Sequence, residues 1–201
     1  VLERQPGPST IISVGSSSKK SGKSRLAAFL VRELGADYGL KVSRGSHSPS
    51  PIVTDPELIS RPGTDTGALV KAGAKKVIWV NASEGKLDEE LRQALEMFPP
   101  GGVLVMEGNS ALEHLPVDFA VFVMTVPFQD FKPSAETALS RADLVLVERR
   151  GPLSSVPQEK IEEALSEKAP GARVLFYSGE PGLAEALKEA ARAARSATGL
   201  E

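Results

Sequence analysis

The chain has 201 residues, 41% of them hydrophobic and 25% charged, which suits one well-buried α/β domain and is short for two. Its 24 basic and 26 acidic side chains leave a formal net charge of -2, so no overall basic field points to a nucleic-acid partner. Cysteine is absent, which excludes disulfides and thiolate metal sites, and the apolar runs are too short to cross a bilayer.

Residues 1–9 carry no pattern and are expected to form an N-terminal arm, with no secretion-signal series; the expected location is cytoplasmic, without membrane contact. From residue 10 to 201 short apolar runs alternate with longer amphipathic ones. Thr10–Val14, Leu40–Ser43, Val77–Val80, Val103–Met106, Phe119–Val123, Leu144–Val147 and Val174–Tyr177 read as strands. They are continuously apolar, as strands covered on both faces are. Between them, Leu26, Phe29, Leu30 and Leu34 share one helical stripe, as do Leu87, Leu91, Ala94 and Leu95, then Ile161 and Leu165, then Leu183, Leu187 and Ala190. Such alternation predicts a single α/β domain with a mostly parallel sheet of about seven strands and helices on both faces. Three further stretches stand out. Gly45–Gly63, rich in Ser, Pro and Gly, is longer than an ordinary connection; Pro127–Ser134 also breaks the rhythm; and Ala190–Glu201 reads as an Ala/Arg-rich helix fraying at its end.

The strand Ile11–Val14 runs into a loop of small and polar residues, and Gly22-Lys23-Ser24 opens a helix. Strand, loop and helix N-terminus are the setting of a P-loop. Unpaired N–H groups and the helix dipole attract phosphate there, Lys23 supplies a mobile ammonium, and the Ser24 hydroxyl can ligate Mg²⁺. The candidate nucleotide-binding set is Ser18, Lys19, Lys20, Ser21, Gly22, Lys23, Ser24 and Arg25. The usual spacing places a glycine where Ser17 stands, and Gly15 lies two residues too early. The loop is therefore either lengthened or starts on Ser17, and serine fits there only if the backbone avoids the glycine-only region. Lys19 and Lys20 either deepen the attraction for anions or are simply solvated.

In an open parallel sheet ligands gather at the carboxyl ends of strands. Glu107 follows one such strand, where a carboxylate holds Mg²⁺ directly or through water, polarises a water, or is merely an exposed acid. Asp65, beside a helix expected over Thr66–Ala72, is either a further metal ligand or a partner of the helix dipole. The catalytic candidates are Lys23, Glu107 and Asp65, and the metal candidates Ser24, Asp65 and Glu107. Ser43, Arg44, Ser46 and His47 follow the second strand, His114 has no constellation around it, and Trp79 is read as core. Glu148-Arg149-Arg150-Gly151 ends a strand at the place for base recognition, but without the amide and carboxylate of an N-K-x-D guanine reader.

Four separated segments resemble the MobB proteins, P-loop GTP-binding adaptors of molybdenum-cofactor guanine-dinucleotide biosynthesis. These are Ser21-Gly22-Lys23-Ser24, the strand and loop Lys41–His47, the segment Arg61–Thr66 followed by Lys71-Ala72-Gly73-Ala74, and Val105-Met106-Glu107-Gly108. The resemblance spans roughly residues 10–110, and the chain beyond residue 115 is similar to the trailing half of metallochaperone GTPases without their base-reading motif. It implies Mg²⁺ with GTP or ATP as cofactors, slow NTP hydrolysis, a partner protein in cofactor assembly, and a homodimer. Two other readings of the residues stand beside it: an ATP-using small-molecule kinase or ligase with its acceptor on Gly45–Gly63, and a nucleotide-binding module that does not hydrolyse.

Overall fold

All seven apolar runs become strands, and each grows by a residue or more at its ends. The computed structural model describes residues 7–45, 50–82 and 85–200; Ser46 and His47, singled out above, lie outside the described residues, as does most of the N-terminal arm. In chain order the elements are β1 (Thr10–Ser16), α1 (Lys23–Leu34), β2 (Tyr38–Arg44), β3 (Ile52–Val53), α2 (Pro56–Ile59), α3 (Asp65–Lys71), β4 (Lys76–Ala82) and α4 (Leu87–Glu96). There follow β5 (Val103–Glu107), β6 (Phe119–Met124), α5 (Pro133–Ser140), β7 (Leu144–Glu148), α6 (Gln158–Lys168), β8 (Arg173–Tyr177) and α7 (Gly179–Thr198).

One sheet of eight strands results, in the order β3-β4-β2-β5-β1-β6-β7-β8. Every pairing is parallel except that of β3, whose Ile52 and Val53 run antiparallel to Val80 and Trp79. This is one strand more than the count expected from the apolar runs, because two residues are too few to carry a period. It is held from outside its own sequence: the Asn81 N–H donates to the Pro51 carbonyl at 2.8 Å. Asp55 then caps α2, accepting from the Glu57 and Leu58 N–H groups. The described part of Gly45–Gly63 is thus ordered by a strand, a cap and a helical turn.

Helices cover both faces. Leu26 and Leu30 of α1, Leu69 of α3 and Leu187 and Ala190 of α7 pack with Ile12, Val14, Val105, Val121 and Leu146 on one side. Leu91, Ala94 and Leu95 of α4 pack with Leu40, Ile78 and Met106 on the other, where α5 and α6 also cover Phe122, Val145 and Val147. Fully burying side chains of this size stabilises by about 1.5–3 kcal/mol each, which is why the helical stripes were legible. α7 runs unbroken through Thr198, since Ala190, Ala191 and Ala194 are buried and Gly199 closes the helix in a left-handed conformation. Trp79, read as core, packs against the core while staying half-buried, and its indole N–H donates to the Ser43 hydroxyl at 2.8 Å. No helix among the described residues is long and apolar enough to cross a membrane.

Register places the charged strand residues. Val14 of β1 lies opposite Glu107 of β5, and Glu107 opposite Lys41 of β2. The three form one row across the sheet, on the face that α1 covers, because their neighbours Leu40, Val42 and Met106 belong to the opposite side.

Candidate functional site

β1 continues through Ser16, so Gly15 is a strand residue and the loop opens on Ser17. That settles the spacing: the loop has ordinary length and a serine in its first position. Lys20 is the one non-glycine with positive φ (60°) among the described residues, so Ser17 avoids the region that only glycine enters. Three anchors hold the loop. The Asn109 amide spans the Ser16 backbone, Oδ1 accepting from its N–H and Nδ2 donating to its carbonyl, both at 2.8 Å. The Ser17 N–H donates to the Val123 carbonyl at 2.9 Å. The Thr125 N–H in turn donates to Ser17 Oγ at 2.9 Å, and the Thr125 and Ser18 hydroxyls are 2.9 Å apart.

At the other end of the loop, Gly22 enters α1 at φ 84°. No side chain caps this helix and its first turn holds no acid, so its leading N–H groups are left for an anion. Ser21 Oγ, buried beside them, has no hydrogen-bond partner. Lys19 and Lys20 are both exposed.

Below the head of α1, four charged side chains and one hydroxyl converge. Ser24 Oγ donates to Asp65 Oδ1 (2.6 Å) and lies 3.0 Å from Glu107 Oε1. Lys41 Nζ bridges Asp65 Oδ2 at 2.5 Å and Glu107 Oε1 at 2.8 Å, and Lys23 Nζ stands 3.6 Å from Glu107 Oε1. Glu107 is 1% exposed, and its second oxygen, Oε2, has no partner. The strand-end acid is therefore buried and not surface-exposed. Burial, then the nearby Lys41 ammonium, holds the Lys23 pKa below the ordinary lysine value. For Lys41 burial also opposes the charge, but Glu107 and Asp65 outweigh it and raise the pKa. Asp65 is likewise resisted by burial and still held below the usual carboxylate value, by hydrogen bonds from Lys41 and Ser24.

Asp65 reaches this cluster because it does not cap its helix. Thr64 does, its Oγ1 accepting from the Gly67 N–H at 3.0 Å, so Asp65 is the first residue of α3, one earlier than expected, and its carboxylate is free for Ser24 and Lys41. Gly108, at φ 145°, lets β5 leave the sheet directly after Glu107: a Cβ there would stand 2.5 Å from the Val42 carbonyl oxygen.

The remaining candidates lie apart. Arg25 makes a bidentate pair with Glu180 of α7, at 2.8 and 3.1 Å, on the exposed side of the helix. A cleft of about 180 Å³ opens beside the loop, lined among others by Lys20, Gly22, Arg25, Glu148, Arg150 and Tyr177. Within it Arg150 pairs with Glu148 at 2.9 Å, while Arg149 turns away to the Leu153 and Val156 carbonyls. Arg44 is paired with Glu113 at 3.2 Å. His114 does have neighbours: its Nδ1 lies 2.7 Å from Asp88 Oδ1 and its Nε2 3.7 Å from Glu113, on the opposite face from α1.

Sequence reasoning missed Lys41, Asn109 and Thr125 as site residues. For Lys41 a signal existed, a charge set between the apolar Leu40 and Val42 inside a strand. Asn109 and Thr125 act through backbone contacts that leave no trace in residue pattern.

No family model matches this sequence, nor does any curated protein. Among solved structures, HypB from Helicobacter pylori in complex with nickel is similar over 92% of this chain and 87% of its own, at 14% identity and TM-score 0.59. The hydrogenase maturation factor HypB from Archaeoglobus fulgidus is similar over 92% of this chain and 90% of its own, at 15% identity and TM-score 0.59. At such identities the likeness is one of fold. The chain shares the α/β fold of these structures, with its loop lying at the carboxyl end of β1 and before the head of α1.

Proposed function

We propose that the protein binds a purine nucleoside triphosphate together with Mg²⁺ and hydrolyses it slowly, in support of cofactor or metal-centre assembly. One observation carries this reading: Lys23 and Ser24 at an uncapped helix head meet Asp65 and Glu107 from two other elements. The donor set fits the metal. Ser24 Oγ and two carboxylates are hard oxygen donors, and Glu107 Oε2 is a buried oxygen lacking a partner. Among the described residues no group of three or more His, Cys, Asp or Glu could hold a metal by itself. That agrees with Mg²⁺ held by one or two carboxylates, a hydroxyl and the phosphates of its own nucleotide. When bound, the ion supplies charge stabilisation at the phosphates.

The chain's own groups supply the rest. The α1 N–H groups and Lys23 hold the phosphates, while Asp65 and Glu107 keep the Ser24 hydroxyl oriented through its hydrogen bonds. Slow turnover belongs to this reading: of the two arginines considered for charge stabilisation, Arg44 is paired with Glu113 and Arg61 is exposed, so neither is held at the phosphate site. Hydrolysis at useful rates then calls for a partner protein, and a homodimer is one form this takes. The cleft beside Glu148 and Arg150 is the space open to the base, with GTP placed slightly ahead of ATP. Molybdenum-cofactor assembly is the pathway supported by the MobB-like segments. Titration calorimetry with GTP and with ATP, each with and without Mg²⁺, followed by phosphate release, tests the proposal. Binding of either nucleotide that strengthens with Mg²⁺ is expected. Binding of neither overturns the reading, and binding without release reduces it to a non-hydrolysing module.

A further inference from the structure

Lys41 uses the same carboxylates assigned above to the metal. Its ammonium sits 2.5 Å from Asp65 and 2.8 Å from Glu107, whereas Lys23 stands 3.6 Å from Glu107. The side chain is 16% exposed, and its backbone is fixed in the row that sets it opposite Glu107 on one side and Trp79 on the other. The cluster of Lys23, Lys41, Asp65 and Glu107 is therefore neutral as it stands. A divalent cation added alone would leave it with a net positive charge beside a largely buried ammonium. Added with a triphosphate, the same cation is compensated.

We propose that Lys41 is a resident counter-ion that closes the Ser24–Asp65–Glu107 cradle to free divalent cations and yields it when nucleotide phosphates arrive. The proposal rests on the Mg²⁺–nucleotide reading of this site. Its consequence concerns order: metal enters with the nucleotide and not before it. Without the ammonium, two carboxylates would face Lys23 alone, Glu107 Oε2 would remain without a partner, and a divalent cation would become the best counter-ion available.

Titration of the nucleotide-free protein with Mn²⁺, followed by electron paramagnetic resonance and repeated with Mg²⁺ by calorimetry, tests this. Wild type should show no saturable site. Lys41→Met and Lys41→Gln, checked for fold by circular dichroism, should gain a saturable site at least roughly tenfold tighter than the weakest binding the titration detects. Lys41→Arg, which keeps the charge, should restore exclusion, and adding Glu107→Gln to Lys41→Met should abolish the new binding. Saturable Mn²⁺ binding by nucleotide-free wild type overturns the proposal without reference to any variant. So does failure of the folded Met and Gln variants to gain binding, as expected of a purely structural ion pair. These titrations contain no nucleotide, so their failure is distinguishable from that of the parent reading, which falls if wild type binds neither GTP nor ATP in the presence of Mg²⁺.

Discussion

The strand ends on the two sides of β1 are built differently. Toward β5 and β2, charged side chains are turned onto one another around the buried Glu107, with Lys41, Asp65 and Lys23 partly withdrawn from solvent and within ion-pair distance in a chain of contacts. Toward β6, β7 and β8, Thr125 ties down the loop, and Glu148, Arg150, Arg25 and Glu180 pair around an open cleft. Charges taken from water must be matched closely, so the first side admits little change. Charges in solvent are screened, and the second side tolerates it. In the proposed function, phosphate chemistry falls on the first side and adjustable contacts on the second.

The sharpest way to break this comparison is to remove a charge from each side. Lys23→Ala should weaken nucleotide binding by about 2 kcal/mol or more, roughly thirtyfold, as read by calorimetry. Unchanged affinity would remove the phosphate site altogether. Gly108→Ala tests the rigidity of the same side through the backbone. With φ at 145° and a Cβ 2.5 Å from the Val42 oxygen, it should cost about 2 kcal/mol of stability in urea denaturation. A variant as stable as wild type would mean that β5 and β2 part easily behind Glu107.

On the other side, Glu148→Gln should alter affinity by less than about 1 kcal/mol, within roughly fivefold, while shifting the ratio of GTP to ATP binding. A loss as large as that of Lys23→Ala would erase the contrast. The smallest effect concerns pH. Burial, then Glu148, pushes the Tyr177 phenol from 10.0 up to about 12. The fold keeps it neutral where the unfolded chain ionises, so its contribution is intact below pH 10.0 and is lost as pH climbs toward 12. Tyr177→Phe should therefore flatten the alkaline decline in stability, followed by denaturation at stepped pH; an identical decline would remove Tyr177 as its source.

Much of the fold was legible because burial on both faces of the sheet writes continuous apolar runs and helical stripes into the chain. The two residues of β3 wrote no such pattern, and their strand exists only because β4 offers an edge to pair with. In the site, Lys23 and Ser24 were legible since loop and helix head are contiguous in sequence. Asp65 and Glu107 were named as candidates, but whether Asp65 served its own helix depended on Thr64 taking the cap.

The sequence by itself determined the local things: which segments are strands and helices, that a loop of small and polar residues joins the first pair, and that serine stands at its first position. Tertiary structure decided the rest. Sheet order and register brought Lys41, from the strand beside β5 and two places from β1, opposite Glu107, and set its ammonium between the two carboxylates. The physical reason is that an ion pair depends on separation in space, which residue spacing specifies within one element but not between strands whose neighbours are chosen only when the sheet assembles.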